Sequence, residues 1–530
     1  MNFRRPALKH PGLAIICLLF LVAGALRLND LSLYTPDSSR YLILGNSLAH
    51  GGGFVDETLP DPDRSVVHAP LYPVLIAPVE YLWPLSVVAV KAWTLFWGVA
   101  AIILAYLWLD GIVGRTGALI GALILAANPL FWLYSTEVLS DAPFIAALIG
   151  AMYWADRLDA DPAGSSRWFS MLILAVAFAA MVREVGATLV AAAVLYCFSK
   201  KAFKRAAAIA AASGALIALW YIRTNIGSSP GYAVGNISLT FQKLVTGDEV
   251  PIVNEFVLRM WLTFQSYASQ LAGVIFFPMY SGQFGHLFFS PSGFSTMIEH
   301  LAVPAQVPSS IVIGLLVVSG MFSDLRTGGT SRFRGIFFAL YLGVILLYPI
   351  NDVRFLVPLV PFFVLFLIRG TILFARIFRL AGALTGERAA VALVLLMLGP
   401  NLTSMAEMML ANRRYLTSAL SAATAEDENA LYTSLYAGPW SVLGAWFQEH
   451  VDTGSIIVSP YKQLATVIGN RKVLTLDKGI TLPLFEKALR EFGIEYVVAP
   501  RRWGTIVVYE AVMSASKRFR FDLAYAVGDL

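Results

Sequence analysis

The sequence has few charged residues. Asp, Glu, Lys and Arg together make up 14% of its 530 residues, whereas hydrophobic residues make up 58%. Soluble globular proteins carry about 25% charged residues. The deficit, together with long uncharged runs, excludes an ordinary soluble domain and predicts a polytopic membrane protein. The net charge of +5 does not indicate a nucleic-acid partner, because the basic residues cluster between apolar runs, as they do in cytoplasmic loops.

Cysteine and histidine are also scarce. The two cysteines, Cys17 and Cys197, lie inside apolar runs, so the sequence excludes a disulfide framework and a cysteine-rich metal site. The glycine cluster AHGGGF lacks the Gly-Lys-Ser/Thr of a P-loop, and SPSGFS lacks the G-x-S-x-G frame of a hydrolase nucleophile. We therefore predict no cofactor and no metal site, while a divalent metal remains an open alternative.

Long hydrophobic runs are abundant. A helix needs about 20 apolar residues to cross a bilayer core, and suitable runs predict about eleven spans. They lie near residues 11–28, 86–109, 116–135, 138–155, 168–182, 185–199, 206–222, 307–322, 335–350, 355–374 and 389–410.

The basic residues predict the orientation. Arg4, Arg5 and Lys9 place the N-terminus in the cytoplasm, and with an odd number of spans every basic cluster between spans falls on that side. The long loops 29–85 and 223–306 and the C-terminal segment then face outward. We expect a multi-pass inner (plasma) membrane protein with a periplasmic or extracytoplasmic C-terminal domain.

Changes in residue composition and pattern along the sequence divide the chain into three parts. Residues 1–410 form the predicted membrane domain, and residues 411–435 form a linker. In residues 436–530, short β-branched runs alternate with helical segments, which predicts a small α/β domain. Within the loop 29–85, prolines interrupt the apolar stretch HAPLYPVLIAPVEYLWPL, so we expect short helices along the membrane surface.

Three predicted outer turns carry the charged residues of interest. Asp37 follows the first span, and an ionisable residue near membrane depth is a functional candidate. Glu137 and Asp141 share the turn STEVLSDAPF and lie four residues apart, on one face of a helix. For all three acids the alternative is an ordinary helix cap or a solvated loop residue. Arg354, in NDVRFLVPLVP, has the planar fork that binds phosphate; the alternative is an arginine anchored at the interface.

Two other polar residues, Arg183 and His68, are weaker candidates, and Lys91 has a structural explanation. Arg183 interrupts the apolar run AAMVREVGATL, where the alternative is an ion pair with the neighbouring Glu184. His68 is a candidate metal ligand or acceptor contact, although a single loop histidine is more often an ordinary polar residue. Lys91, inside the second predicted span, is expected to extend its charge to the interface.

The segments PDSSRYLILGNSLAHGGGF, HAPLYPVLIAP, STEVLSDAPF, REVG and VRFLVPLVP resemble, in this order, motifs of the GT-C glycosyltransferases. The branch they are most similar to holds the protein O-mannosyltransferases and the bacterial lipid A aminoarabinose transferases. The resemblance covers most of residues 11–375. Two positions differ: Ser38 stands where the branch has an acid, and Ala69 where it has a proline.

The resemblance implies an inverting membrane glycosyltransferase with a polyprenyl-phosphate sugar donor and a glycan, lipid or protein acceptor. Asp37 would be the general base. Arg354, then Arg183, would meet the leaving phosphate, and Glu137 or Asp141 would orient donor or acceptor. Arg40 and Tyr41 would position the first-loop helix, and His68 would contact substrate.

Two other functions fit a polytopic chain. A transporter or flippase for a lipid-linked sugar is the main alternative. Such proteins often show internal repeats and broken helices at the bilayer midplane, whereas this sequence shows no repeat and no acid at the midplane, and its polar residues gather on one face. The third hypothesis is a non-catalytic membrane scaffold that presents the C-terminal domain. It does not explain why charged residues cluster in the outer turns.

Overall fold

The computed structural model describes the helical part of the chain over residues 11–29, 36–59, 69–161, 163–225, 252–275, 293–348 and 352–377. In the C-terminal part it describes residues 446–459, 464–468, 471–475 and 482–498, with a few single residues before them. The predicted linker 411–435 and the candidate His68 lie outside the described residues.

Helices make up the larger part of the fold. They are α1 (Pro11–Ala25), α2 (Pro36–Ala49), α3 (Leu71–Leu82), α4 (Val87–Ala126), α5 (Pro129–Ser135), α6 (Asp141–Ala160), α7 (Ser165–Val182), α8 (Ala187–Ser199), α9 (Phe203–Asn225), α10 (Ile252–Ile275), α11 (Gly293–Leu325), α12 (Ser331–Leu347) and α13 (Val360–Ile377). A 3₁₀ turn, Val353–Leu359, leads into α13.

Among the described residues, five helices are long and apolar enough to cross a membrane: Val87–Ala126, Ser165–Val182, Phe203–Arg223, Val307–Leu325 and Val353–Ile377. Every span predicted before residue 380 coincides with a described helix. Two of them share α4, whose path turns at Gly114, where φ is 77°, a conformation that only glycine adopts readily. The last predicted span, 389–410, lies mostly outside the described residues.

The predicted outer loops also contain helices. In the first, α2 and α3 are the expected short helices, and α3 continues through Pro78. In the second, α10 occupies Ile252–Ile275, and α11 begins at Gly293, before the span predicted from residue 307. The sequence pattern missed α10 because polar residues such as Asn254, Glu255 and Arg259 interrupt its apolar run.

The helices pack around an aromatic-rich core. α4 packs on α6, α6 on α7, and α11 on α13. Trp108 of α4 and Trp132 of α5 are fully buried. α11 and α13 approach backbone to backbone, because a Cβ on Gly370 would lie only 2.0 Å from the carbonyl oxygen of Leu316.

The C-terminal part contains a small parallel sheet. Its strands are β1 (Ile456–Ser459), β2 (Lys472–Thr475) and β3 (Tyr496–Val497), in the order β2-β1-β3, with Ile457 opposite both Val473 and Tyr496. Two helices connect the strands, α14 (Leu464–Val467) and α15 (Leu482–Glu491). This alternation agrees with the α/β pattern predicted for this region.

Candidate functional site

Four segments that are distant in sequence meet at one end of the helical bundle. Asp37 lies in the first turn of α2, and Asp141 is the first residue of α6. Arg183 is the extended residue that ends α7, and Arg354 belongs to the 3₁₀ turn before α13. These four residues are called the charge cluster below.

Arg354 joins the two carboxylates of the charge cluster. Its Nε and Nη2 donate to Oδ2 of Asp141, at 3.1 and 2.9 Å, and its Nη1 donates to Oδ2 of Asp37 at 3.1 Å. Arg183 forms an ion pair with the other oxygen of Asp141. The guanidinium of Arg354 also lies over the ring of Tyr134, 5.8 Å from its centroid.

The two carboxylates differ in exposure. The side chain of Asp141 is fully buried, whereas that of Asp37 is 30% exposed. With an arginine on each of its oxygens, Asp141 can hold both guanidinium groups in place. Asp37 is the carboxylate of the charge cluster that remains accessible from outside the protein.

Local structure fixes Arg354. Asp352 accepts a hydrogen bond from the backbone N–H of Arg354 at 2.8 Å and so caps the 3₁₀ turn. Burial raises the pKa of Asp352, which this hydrogen bond opposes. The hydroxyl of Tyr341 donates to the carbonyl of Phe355 at 2.9 Å, and that of Tyr267 donates to the carbonyl of Asp352 at 3.4 Å.

A break between α7 and α8 positions Arg183. Its backbone is extended, although its N–H still donates to the carbonyl of Ala179 at 3.1 Å. A Cβ on Gly186 would lie 2.3 Å from that same carbonyl oxygen, so the tight turn requires glycine. Arg183 pairs with Asp141 in the charge cluster and not with the adjacent Glu184 that the sequence offered as its alternative partner.

Tyr41 connects α2 to the start of α6. Its hydroxyl lies 3.2 Å from Oγ of Ser140, the residue before Asp141, and its ring packs edge-on against Tyr72. Burial raises the pKa of Tyr41 to about 12, so the phenol stays protonated near neutral pH. Arg40 is half-buried beside it on α2.

Glu137 belongs to a neighbouring ion network. It pairs with Arg27 at 2.8 Å and with Lys91 at 3.0 Å, and Lys91 also donates to Asn29 at 2.7 Å. Lys91 was expected to reach the interface, but its side chain is buried, because Glu137 supplies an internal partner. The sequence analysis did not identify Arg27 as a partner of Glu137. Its position at the end of the first apolar run was the only feature of the sequence that pointed to it.

Among the described residues, no group of three or more His, Cys, Asp or Glu side chains is arranged to hold a metal ion. In the charge cluster the ligand-type side chains Asp37 and Asp141 are each paired with an arginine.

Comparisons with known proteins give one family and several structures. Residues 67–226 match the sequence model of the family described as dolichyl-phosphate-mannose-protein mannosyltransferase. This range includes Glu137, Asp141 and Arg183 but neither Asp37 nor Arg354. No protein among those with curated descriptions matches the sequence.

The structure is similar to ArnT from Cupriavidus metallidurans bound to undecaprenyl phosphate, with 12% identity and a TM-score of 0.54 over 97% of this chain and 96% of that one. It is also similar to the archaeal oligosaccharyltransferase AglB from Archaeoglobus fulgidus in complex with an inhibitory peptide and a dolichol-phosphate. There the identity is 13% and the TM-score 0.50, over 93% of this chain and 70% of that one. These matches show that the chain shares the fold of the two structures, and they confirm the predicted fold class, a mostly helical architecture with several long apolar helices and a small C-terminal sheet.

Proposed function

We propose that this chain is an inverting membrane glycosyltransferase that moves a hexose or pentose from a polyprenyl-phosphate donor to an extracytoplasmic acceptor. The acceptor is lipid A, a glycan or a protein hydroxyl. The observation that carries the proposal is the contact between the partly exposed Asp37 and Arg354, which the buried Asp141 holds in place. The similar structures of ArnT and AglB, which hold undecaprenyl phosphate and a dolichol-phosphate, support the donor class.

Each member of the charge cluster has one role in the proposed reaction. Asp37 accepts the proton of the acceptor hydroxyl as its oxygen attacks the anomeric carbon. The bond from that carbon to the phosphate oxygen breaks, and the polyprenyl phosphate leaves with the electron pair. Because charge develops on the phosphate, fixed cations lower the barrier, and Arg354 and Arg183 supply them. A single displacement inverts the configuration at the anomeric carbon.

The other candidates support this centre. Asp141 is fully buried and so orients the two arginines rather than the sugar. Tyr41 and Arg40 position α2, and Glu137 braces the adjoining turn through Arg27 and Lys91. His68 remains a proposed substrate contact.

Mass spectrometry of lipid and glycan extracts tests the function. Cells carrying the wild-type chain are compared with cells carrying Asp37→Asn or the control Asp110→Asn, which changes another half-buried aspartate outside the charge cluster. We expect one envelope molecule to lose a sugar, and the sugar-bearing polyprenyl phosphate to accumulate, only with Asp37→Asn. An unchanged glycan profile with Asp37→Asn would refute the proposal. So would the finding that the protein carries the donor across the membrane with the bond between sugar and phosphate intact, as a flippase does.

A further inference from the structure

Helix α2, which carries Asp37, packs against two separate cores. Tyr41 and Leu42 belong to the core of the helical bundle, together with Tyr72 and Ile76 of α3. Ile43, only 4% exposed, belongs instead to the core of the C-terminal α/β part. Successive helical residues point about 100° apart, so neighbouring positions of one helix reach different partners.

The partners of Ile43 come from across the C-terminal part. This second core contains Phe447, Val451, Ile457, Leu464, Ala465, Ile468 and Val473. α14 packs directly against α2. The buried guanidinium of Arg471 stabilises this core by donating to the carbonyls of Val451 and Ile468, at 2.9 and 2.8 Å from its Nε and Nη1.

The segment after α2 is joined to the same domain through the backbone. At the edge of the sheet, the N–H of Val473 donates to the carbonyl of Thr58 at 2.6 Å, and Nζ of Lys472 donates to the carbonyl of Glu57 at 2.5 Å. Ser47 of α2 donates to the carboxylate of Glu57 at 3.0 Å. α2, the turn that follows it and strand β2 therefore form one connected unit.

We infer that the C-terminal domain positions Asp37 by fixing helix α2. Ile43 is the positioning residue, because its side chain packs α2 into the core of that domain. This inference rests on the proposed function, in which Asp37 is the general base. Arg354 and Arg183 are held by Asp141, which belongs to α6 and not to α2. Loosening α2 therefore displaces the base and breaks its bond to Arg354, whereas the two bonds from Arg354 to Asp141 still hold this arginine. A displacement of about 1 Å at a reacting group costs as much as 100-fold in rate.

The test uses the full-length chain in lipid bilayers with its sugar donor. Ile43→Ala is compared with the conservative Ile43→Leu and with the control Ile209→Ala, which removes an equally buried isoleucine from α9. We expect Ile43→Ala to lower kcat about tenfold or more with an unchanged KM for the donor. Amide hydrogen exchange should accelerate in Pro36–Ala49. Ile43→Leu should have the wild-type kcat. Ile209→Ala should change neither kcat nor the rate of amide hydrogen exchange in Pro36–Ala49.

Two comparisons make the outcome decisive. Wild-type kcat in Ile43→Ala would overturn the inference, as would a raised KM without faster exchange in α2. If Ile43→Ala does not fold, the smaller truncation Ile43→Val decides: a lowered kcat with faster exchange in α2 supports the inference, whereas an unchanged kcat rejects it. Asp37→Asn is measured in parallel. If Asp37→Asn transfers sugar at the wild-type rate, the proposed function fails. If Asp37→Asn is inactive while Ile43→Ala is fully active, the proposed function stands and only the role of Ile43 fails.

Discussion

At the scale of single residues, Arg354 connects the charge cluster. It contacts Asp37 and Asp141 through three different nitrogen atoms, which requires the fixed planar fork of a guanidinium. A lysine ammonium is a single point of charge on a flexible stem. It can pair with one of these carboxylates but cannot bridge both in the same geometry.

We therefore predict that Arg354→Lys lowers kcat about 100-fold while the protein still inserts and folds, because one buried positive charge remains to compensate Asp141. Steady-state sugar transfer by purified protein measures this, with circular dichroism as the control for folding. Activity within threefold of the wild type would show that the bridge between the two carboxylates is not required.

Asp141 should matter for stability. It compensates the buried Arg354 and the half-buried Arg183, and removing one partner of a buried ion pair costs about 3–5 kcal/mol. Asp141→Asn should therefore lower the midpoint of thermal unfolding in detergent substantially. Glu491→Gln is the control, since it changes the exposed pair with Lys487 at 3.6 Å, and such pairs contribute below about 1 kcal/mol. Equal midpoints for the two variants would contradict this account.

At the scale of the elements, hydropathy predicted where the helices lie before residue 380, because long apolar runs form buried or lipid-facing helices. Five of the described helices are long and apolar enough to cross a membrane. Arg183 also indicated a break correctly, and the structure has one between α7 and α8. α10 was not predicted, because its amphipathic sequence carries polar residues that leave the apolar signal weak. The path of α4 through Gly114 was likewise not predicted, since hydropathy does not report backbone direction.

The close contact of α11 and α13 gives an element-scale prediction. In Gly370→Ala the new Cβ would meet the backbone carbonyl of Leu316 at 2.0 Å, so the two helices must separate and the protein should lose stability. Gly343→Ala on α12 is the matched control, since nothing lies within 4 Å of its Cβ position. There a helical alanine should be neutral or stabilising by about 0.5–1 kcal/mol. Thermal unfolding compares the two; a neutral Gly370→Ala would mean that the helices are not held this closely.

At the scale of the whole molecule, buried ion networks lie at both ends of α6. Beyond the charge cluster, Arg334 pairs with Asp324 at 2.8 Å and with Asp156 at 3.1 Å. Asp156 follows Asp141 by fifteen residues on α6, a rise of about 22 Å. Helices α6, α11 and α12 are thus braced at the end of the bundle opposite the candidate site.

The charge cluster itself was only partly predictable. The order of the motifs indicated the right segments, but Asp37 and Arg354 are 317 residues apart, and no periodicity reports such a contact. The choice between Glu137 and Asp141 stayed open, because both acids share one turn and only packing separates their partners. The contact of Ile43 with the C-terminal domain could not be predicted either. A buried isoleucine on α2 gives the same sequence pattern whichever core it packs into.

The central claim is that Asp37 does the chemistry beside Arg354, and the most direct measurement is sugar transfer in a single turnover by purified Asp37→Asn in lipid bilayers. We predict that cleavage of the bond between sugar and phosphate slows about 100-fold or more relative to both the wild type and Asp110→Asn, while donor binding is retained. Cleavage by Asp37→Asn at the wild-type rate would contradict the account.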